Sequence, residues 1–147
     1  IREEEPNWQK HSKDTYICNV LKLMKIRSKT ITELKDACTY FFSDPEEYDE
    51  KAIVKRWKDK SVNKLINKFI NRLDNLSVWS QSEIDQSLRE TSQEMAVSAA
   101  KLIHPVRLAV SGRSYGPGLF ELLELLGKMN TLRRLRKALT IFPLKNV

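Results

Sequence analysis

The chain is poor in the residue types that build catalytic, metal and disulfide sites. Its 147 residues include two cysteines, two histidines and four glycines. Cys18 and Cys38 lie far apart within amphipathic stretches, so we expect them to be core thiols, and with two scattered histidines they form no zinc pattern. A glycine-rich phosphate loop is also lacking, as is a Ser or Cys nucleophile placed near either histidine. These absences favour binding over catalysis.

Long hydrophobic runs are missing as well. No apolar stretch approaches the ~20 residues that a bilayer-crossing helix needs, so we expect no membrane partner. The chain starts at Ile1 without an initiator methionine or a secretory leader, and we interpret it as a fragment of a longer cytoplasmic protein.

The distribution of apolar residues predicts helices throughout. At 41% hydrophobic the chain can bury a core, and residues 61–76 repeat apolar side chains at steps of three and four. No stretch alternates as a strand would. We therefore expect an all-α fold of about eight short helices, arranged as two small packed subdomains, residues 1–48 and residues 49–147.

Several residues predict where helices begin or bend. Side chains that can accept hydrogen bonds from free backbone N–H groups mark helix starts, and a proline removes a bond inside a helix. The predicted starts are Asp49 or Glu50, Ser80 with Glu83, and Asn130; an alanine-rich helix is expected from Ala96, kinked or restarted at Pro105.

Positive charge is concentrated in the last third of the chain. Residues 1–100 hold 17 basic and 17 acidic side chains, whereas residues 101–147 hold nine basic side chains against Glu121 and Glu124. The whole formal surplus of +7 therefore lies in the last third. Such a surplus predicts a polyanionic partner.

The same third contains all four glycines of the chain. Gly112 follows an apolar run, where a helix commonly ends in a left-handed residue. Gly116-Pro117-Gly118 then precedes a leucine-rich run that Gly127 closes, so residues 112–118 are predicted to be a shaped connection between two helices. In the final helix, leucines at helical spacing form a core face and the cations lie elsewhere on the cylinder.

These motifs resemble a known family. The run HPVRLAVSGRSYGPGLFELLELLGK, followed by TLRRLRKAL, is similar to the end of a bacterial-type glutamyl-tRNA synthetase, in its helical anticodon-binding region. Upstream, KLMKIRSKTITEL and YFFSDPEEYDEKA resemble the preceding subdomain of that family. The resemblance spans roughly residues 15 to 142, nearly the whole chain.

The resemblance implies specific RNA-binding residues. Arg27 matches an arginine that reads the third anticodon base, for which a planar guanidinium is suited; composition alone would make it a solvated cation. Arg107 matches an anticodon-binding arginine, although it could instead form an ion pair with Glu121 or Glu124. Further implied anticodon contacts are Gly116, Pro117, Gly118, Leu119 and Phe120, with auxiliary RNA contacts at Arg113, Tyr115, Arg133, Arg134 and Lys137; attraction to phosphates and simple solubility explain the last three equally well.

The resemblance also implies what the longer protein does. A glutamate–tRNA ligase uses ATP and Mg²⁺ to attach glutamate to tRNA, and this fragment would supply tRNA selection with no catalytic residue, metal or cofactor of its own. The implied partner is tRNA-Glu, with tRNA-Gln as the alternative, and the implied parent is monomeric. The rival interpretation is a helical scaffold that docks an acidic protein. A DNA-binding helix-turn-helix is disfavoured because the leucines of residues 122–126 must be buried.

Overall fold

The computed structural model describes residues 15–20, 22–23 and 39–142, and the described residues contain helices and no strands. Residues 15–20, 22–23 and 39–42 are helical. Six helices follow: α1 (Glu50–Arg56), α2 (Lys60–Asp74), α3 (Gln81–Glu94), α4 (Ala100–Ser111), α5 (Leu119–Leu126) and α6 (Lys128–Ile141). The predicted all-α fold is confirmed.

Short polar side chains start the first three of these helices. The Asp49 carboxylate accepts hydrogen bonds from the backbone N–H groups of Lys51 and Ala52, and the Ser80 hydroxyl accepts one from Glu83. Both starts were predicted. Asp59 caps α2 in the same way, so each helix satisfies part of its otherwise free first turn.

Helix α4 occupies the centre of the bundle. It contacts α1, α2, α3 and α6, and Leu102, Val106, Leu108, Ala109 and Val110 on it are fully buried. Its first residues line a cavity together with residues of α1 and α2, and its buried last turn leads into the loop to α5.

Two predicted helix boundaries are wrong. Asn130 lies inside α6, where its side chain donates to the Leu126 carbonyl, because Gly127, with a φ of +87°, lets α6 follow α5 with no linker. The alanine-rich helix begins at Ala100, because α3 continues to Glu94 and Ala96 adopts a left-handed φ of +57°. Ala96 closes α3 through Ala96 N to Gln93 O and Val97 N to Ser92 O, a conformation that usually carries glycine.

Three further expectations concern Pro105, the two cysteines and the division into subdomains. Pro105 lies within α4, which continues through it and does not restart. Cys18 is exposed, so the expectation of a core thiol is wrong there; Cys38 lies outside the described residues. The division of the chain at residues 48 and 49 stays a prediction.

Candidate nucleic-acid interface

The connection between α4 and α5, which we call the Gly-Pro corner (residues 112–118), is held by Arg107. Arg107 projects from α4, and its Nη1 donates to the carbonyl oxygen of Pro117 over 2.7 Å. Ser111 adds support at the other side, because its hydroxyl accepts from Arg113 N and donates to Arg107 O. The corner is therefore built on the last turn of α4.

A second support comes from the segment before α1. Gly112 ends α4 with a φ of +75°, and its carbonyl accepts from Asp49 N over 2.9 Å. A side chain at position 112 would place its Cβ 2.5 Å from the carbonyl oxygen of Glu47. Glycine is required there both for the left-handed backbone and for the close approach.

Gly116 also needs to be glycine. Its φ is +148°, and an added Cβ would lie 3.2 Å from the hydroxyl of Tyr40 and 3.3 Å from Nη1 of Arg107. The positive φ strains any other residue at this position, and an added side chain would also crowd the Arg107 guanidinium that anchors the loop.

The corner faces outward. Ser114, Tyr115 and Gly116 are exposed, with Tyr115 64% exposed. The predicted contacts Arg107, Arg113, Gly118 and Phe120 are half-buried around them. An exposed aromatic ring beside bare backbone and guanidinium groups offers what unpaired bases require, which is a stacking surface with hydrogen-bond donors.

Two predicted contact residues lie below this surface. Pro117 is buried, and Leu119 is only 4% exposed, at the first position of α5. The Leu119 side chain packs into the core under the corner, and its predicted contact with RNA stays a prediction. Helix α5 begins at Leu119 with Gly118 as its N-cap.

The cations of α6 do not form the single solvent-facing surface that their sequence predicts. Arg133 is exposed and Lys137 is exposed, but Arg134 is 2% exposed. Arg134 donates to Val110 O over 2.7 Å, to Ser43 O over 3.1 Å and to Asp44 over 3.0 Å. The guanidinium therefore satisfies the Val110 carbonyl at the end of α4 and the Ser43 carbonyl before α1. The role of Arg134 as an RNA contact stays a prediction.

Asp44 joins this buried arginine to an exposed one. Arg133 binds both carboxylate oxygens of Asp44, at 2.9 and 2.6 Å. The pKa of Asp44 is lowered from 3.8 to about 2, mainly by the hydrogen bond from Arg133 and also by Arg134, while burial opposes the shift. We call Asp44, Arg133 and Arg134 the Asp44 cluster. The Asp44 cluster fixes the segment before α1 against α6. In the same segment, the backbone N–H of Asp49 donates to the carbonyl of Gly112.

Three other expectations concern Arg27, Glu124 and the leucines of α5. Arg27 lies outside the described residues. Glu124, a possible partner of Arg107 by sequence, accepts two hydrogen bonds from Gln81. Leu122, Leu123 and Leu126 are buried, as the argument against a helix-turn-helix required.

The described part of the chain lacks both a metal-binding cluster and a membrane-spanning helix. It contains no group of three or more His, Cys, Asp or Glu side chains able to hold a metal ion. None of its helices is long and apolar enough to cross a membrane.

The chain is similar to an anticodon-binding family and to glutamate–tRNA ligases. Residues 3–139 match the protein family described as "Anticodon binding domain". The chain is 37% identical over 136 residues to glutamate–tRNA ligase 1 of Syntrophomonas wolfei, covering 92% of this chain and 28% of that protein. It is 40% identical over 137 residues to the glutamate–tRNA ligase of Chloroherpeton thalassium, covering 93% of this chain and 27% of the relative.

A solved structure agrees. The crystal structure of a glutamate tRNA ligase from Elizabethkingia meningosepticum, in complex with its amino acid, matches with a TM-score of 0.78 at 27% identity, over 90% of this chain and 26% of that one. The chain thus spans only between a quarter and a third of the length of these relatives. Nothing in the matches favours the protein-scaffold alternative, and the fold and the matched family confirm the resemblance noted in the sequence. The chain belongs to the anticodon-binding domain family.

Proposed function

We propose that this chain is the anticodon-binding part of a glutamate–tRNA ligase and that it holds the anticodon loop of tRNA-Glu at the Gly-Pro corner. The observation that carries the proposal is the outward-facing corner itself, where Tyr115 and Gly116 are exposed beside the half-buried Arg107 and Arg113. Support also comes from the match of residues 3–139 to an anticodon-binding family.

The corner provides binding without chemistry. Unpaired bases stack on the exposed ring of Tyr115 and the half-buried ring of Phe120, while backbone groups of Gly116 and Gly118 and the guanidinium groups meet base edges and phosphates. The buried Pro117 and Leu119 act indirectly, since they fix the height of the loop above the core. Arg133 and Lys137 attract phosphates from the side of α6.

The parent enzyme performs the reaction. In this proposal a catalytic region outside this chain uses ATP and Mg²⁺ to activate glutamate and transfers it to tRNA-Glu in the cytoplasm, as a monomer. This chain supplies selection of the tRNA, with Arg27 reading the third anticodon base and so separating tRNA-Glu from tRNA-Gln.

Binding of labelled RNA hairpins tests the proposal directly. One hairpin carries the glutamate anticodon loop on its natural stem, and a second has the anticodon replaced. We expect tighter binding of the first hairpin, with affinity falling steeply as salt rises because phosphate contacts release counterions. Equal binding of the two hairpins, or an affinity independent of salt, would overturn the proposal.

The role of Arg27 is tested in the full-length enzyme. We expect Arg27→Gln to reduce the preference for tRNA-Glu over tRNA-Gln, with a loss of about 1–3 kcal/mol if one base contact is removed. Aminoacylation rates with both tRNAs give the preference. Arg89→Gln, which removes an exposed cation on α3, is the matched control and is expected to leave it unchanged; an unchanged preference in Arg27→Gln would remove Arg27 from the site.

A further inference from the structure

A second basic surface lies away from the corner, at the opposite end of α4. A cavity of about 520 Å³ opens between the end of α1, the start of α2 and the start of α4. Its apolar lining includes Val62, Leu65, Met95 and Val97. Around this lining stand five basic side chains, which define the cationic groove: Lys55, Arg56, Lys58, Lys64 and Lys101.

The charges of this groove are not neutralised within the described part of the chain. None of the five basic side chains forms an ion pair there, and four of them are exposed. Asp59 is the one acidic residue lining the cavity, and its carboxylate is occupied by the backbone N–H and hydroxyl of Ser61 at the start of α2. Five cations against one engaged carboxylate leave a strong local attraction for anions.

The apolar residues of the lining indicate which kind of anion fits the groove. A free inorganic ion needs cations and no apolar surface, whereas a nucleic-acid strand presents phosphates beside the apolar faces of sugars and bases. A trough with a cationic edge and an apolar floor is complementary to such a strand.

Helix α4 connects the cationic groove, at its start, to the Gly-Pro corner, at its end. Lys101 at the groove and Arg107 at the corner are six residues apart on this helix, which corresponds to about 9 Å along its axis. His104 lies between them, and its pKa is lowered by burial and then by the charges of Arg56, Arg107 and Lys55. The groove and the corner thus lie at the two ends of α4, close enough along the helix for one RNA hairpin to contact both.

We propose that the cationic groove binds the sugar–phosphate backbone of the same RNA whose unpaired bases occupy the Gly-Pro corner. This inference rests on the proposed function and extends it, since it assigns a binding surface to α1, α2 and the start of α4. Contacts to phosphates position a nucleic acid without reading its sequence, so the groove adds affinity and orientation while the corner supplies selectivity.

A charge-matched pair of triple variants tests the groove. In the first, Lys55, Lys58 and Lys101 are all changed to glutamine. In the control, Lys68, Arg72 and Arg89 are changed to glutamine; these are cations with carboxylate partners on α2 and α3. Both variants lose the same formal charge, and thermal melts followed by circular dichroism establish that both are folded.

Binding is measured with the two hairpins described above over a range of salt concentrations. We expect the groove variant to bind both hairpins roughly tenfold more weakly than the control does, with the slope of log affinity against log salt reduced by about 2 for three lost phosphate contacts. The loss should be the same for both anticodons, because backbone contacts carry no sequence information.

Three results would overturn the inference while leaving the proposed function standing. In each of them the wild-type chain still distinguishes the two anticodons. The first is equal affinity of the groove variant and the control; the second is a loss confined to the hairpin with the glutamate anticodon. The third is binding of an oligoglutamate peptide that the groove variant loses while it keeps hairpin binding, which would assign the groove to an acidic protein. A wild-type chain that ignores the anticodon would instead overturn the proposed function.

Discussion

Helix α6 and the cationic groove each contain five basic side chains. In the described part of the chain, four of those on α6 are bound by protein groups, whereas none of those in the groove is. On α6, Lys128 donates to the carbonyls of Asp74 and Leu76, Arg133 and Arg134 bind Asp44, and Arg136 lies 3.9 Å from Asp74. In the described part of the chain, the groove cations have no such partners. A basic stretch of sequence is therefore a poor measure of accessible charge, because carbonyl and carboxylate groups brought in by the fold decide which cations remain available.

The largest effect is expected when a buried, fully hydrogen-bonded cation of α6 is removed. Arg134→Met should lower the free energy of unfolding by about 3–5 kcal/mol, because Asp44 and two carbonyl groups lose a buried donor. Arg133→Met, at an exposed position, should cost no more than ~1 kcal/mol. Chemical denaturation measures both, and equal losses would contradict the distinction between the two neighbouring arginines.

A second test compares a buried and an exposed residue at the corner. Leu119→Ala should lower the free energy of unfolding by about 2–5 kcal/mol, since it leaves a cavity in the core. Tyr115→Ala should change stability by no more than ~0.5 kcal/mol and should weaken binding of the glutamate hairpin by about 1–3 kcal/mol, through loss of a stacking surface. The comparison fails if Tyr115→Ala destabilises the fold or leaves hairpin binding intact.

The smallest effect is the pH dependence of the Asp44 cluster. The pKa of Asp44 is lowered from 3.8 to about 2. Because the folded-state value lies below the unfolded one, the contribution to stability is complete above pH ~4 and is lost as the pH falls toward 2. The difference between the two pKa values corresponds to about 2 kcal/mol.

This pH dependence is isolated by comparing two variants with the wild-type chain. The stability difference between wild type and Asp44→Asn should shrink as the pH falls from about 4 to 2, as followed by urea denaturation at each pH. Asp85→Asn removes a carboxylate from an exposed pair with Arg89 and should cost only about 0.5 kcal/mol. A constant difference for Asp44→Asn would show that its carboxylate is not held by Arg133 and Arg134.

Much of the fold could be predicted from local patterns. Apolar spacing revealed α2, short polar side chains marked the starts of α1 and α3, and Gly112 marked the end of α4. The boundary between α3 and α4 was missed because Ala96 takes a left-handed conformation normally signalled by glycine. Asn130 was misassigned because Gly127 joins α5 directly to α6.

The groove was missed for a different reason. Residues 55–64 contain five basic side chains and one acid, a signal that was hidden because positive and negative charges balance over residues 1–100. Counting charge in short windows would have found most of the groove. Lys101 could not have been added in that way, since only the packing of α4 against α1 and α2 brings it to the same cavity.

The sequence by itself determined the helical class, the position of the Gly-Pro corner and the family to which the chain belongs, because these depend on residue type and spacing along the chain. Only the tertiary structure decided which cations are available to a partner. Arg133 and Arg134 are adjacent in sequence, yet one is exposed and the other is almost completely buried. The difference arises because successive residues on a helix point about 100° apart. Both arginines bind Asp44, but only the inner one, Arg134, also donates to the carbonyls of Val110 and Ser43.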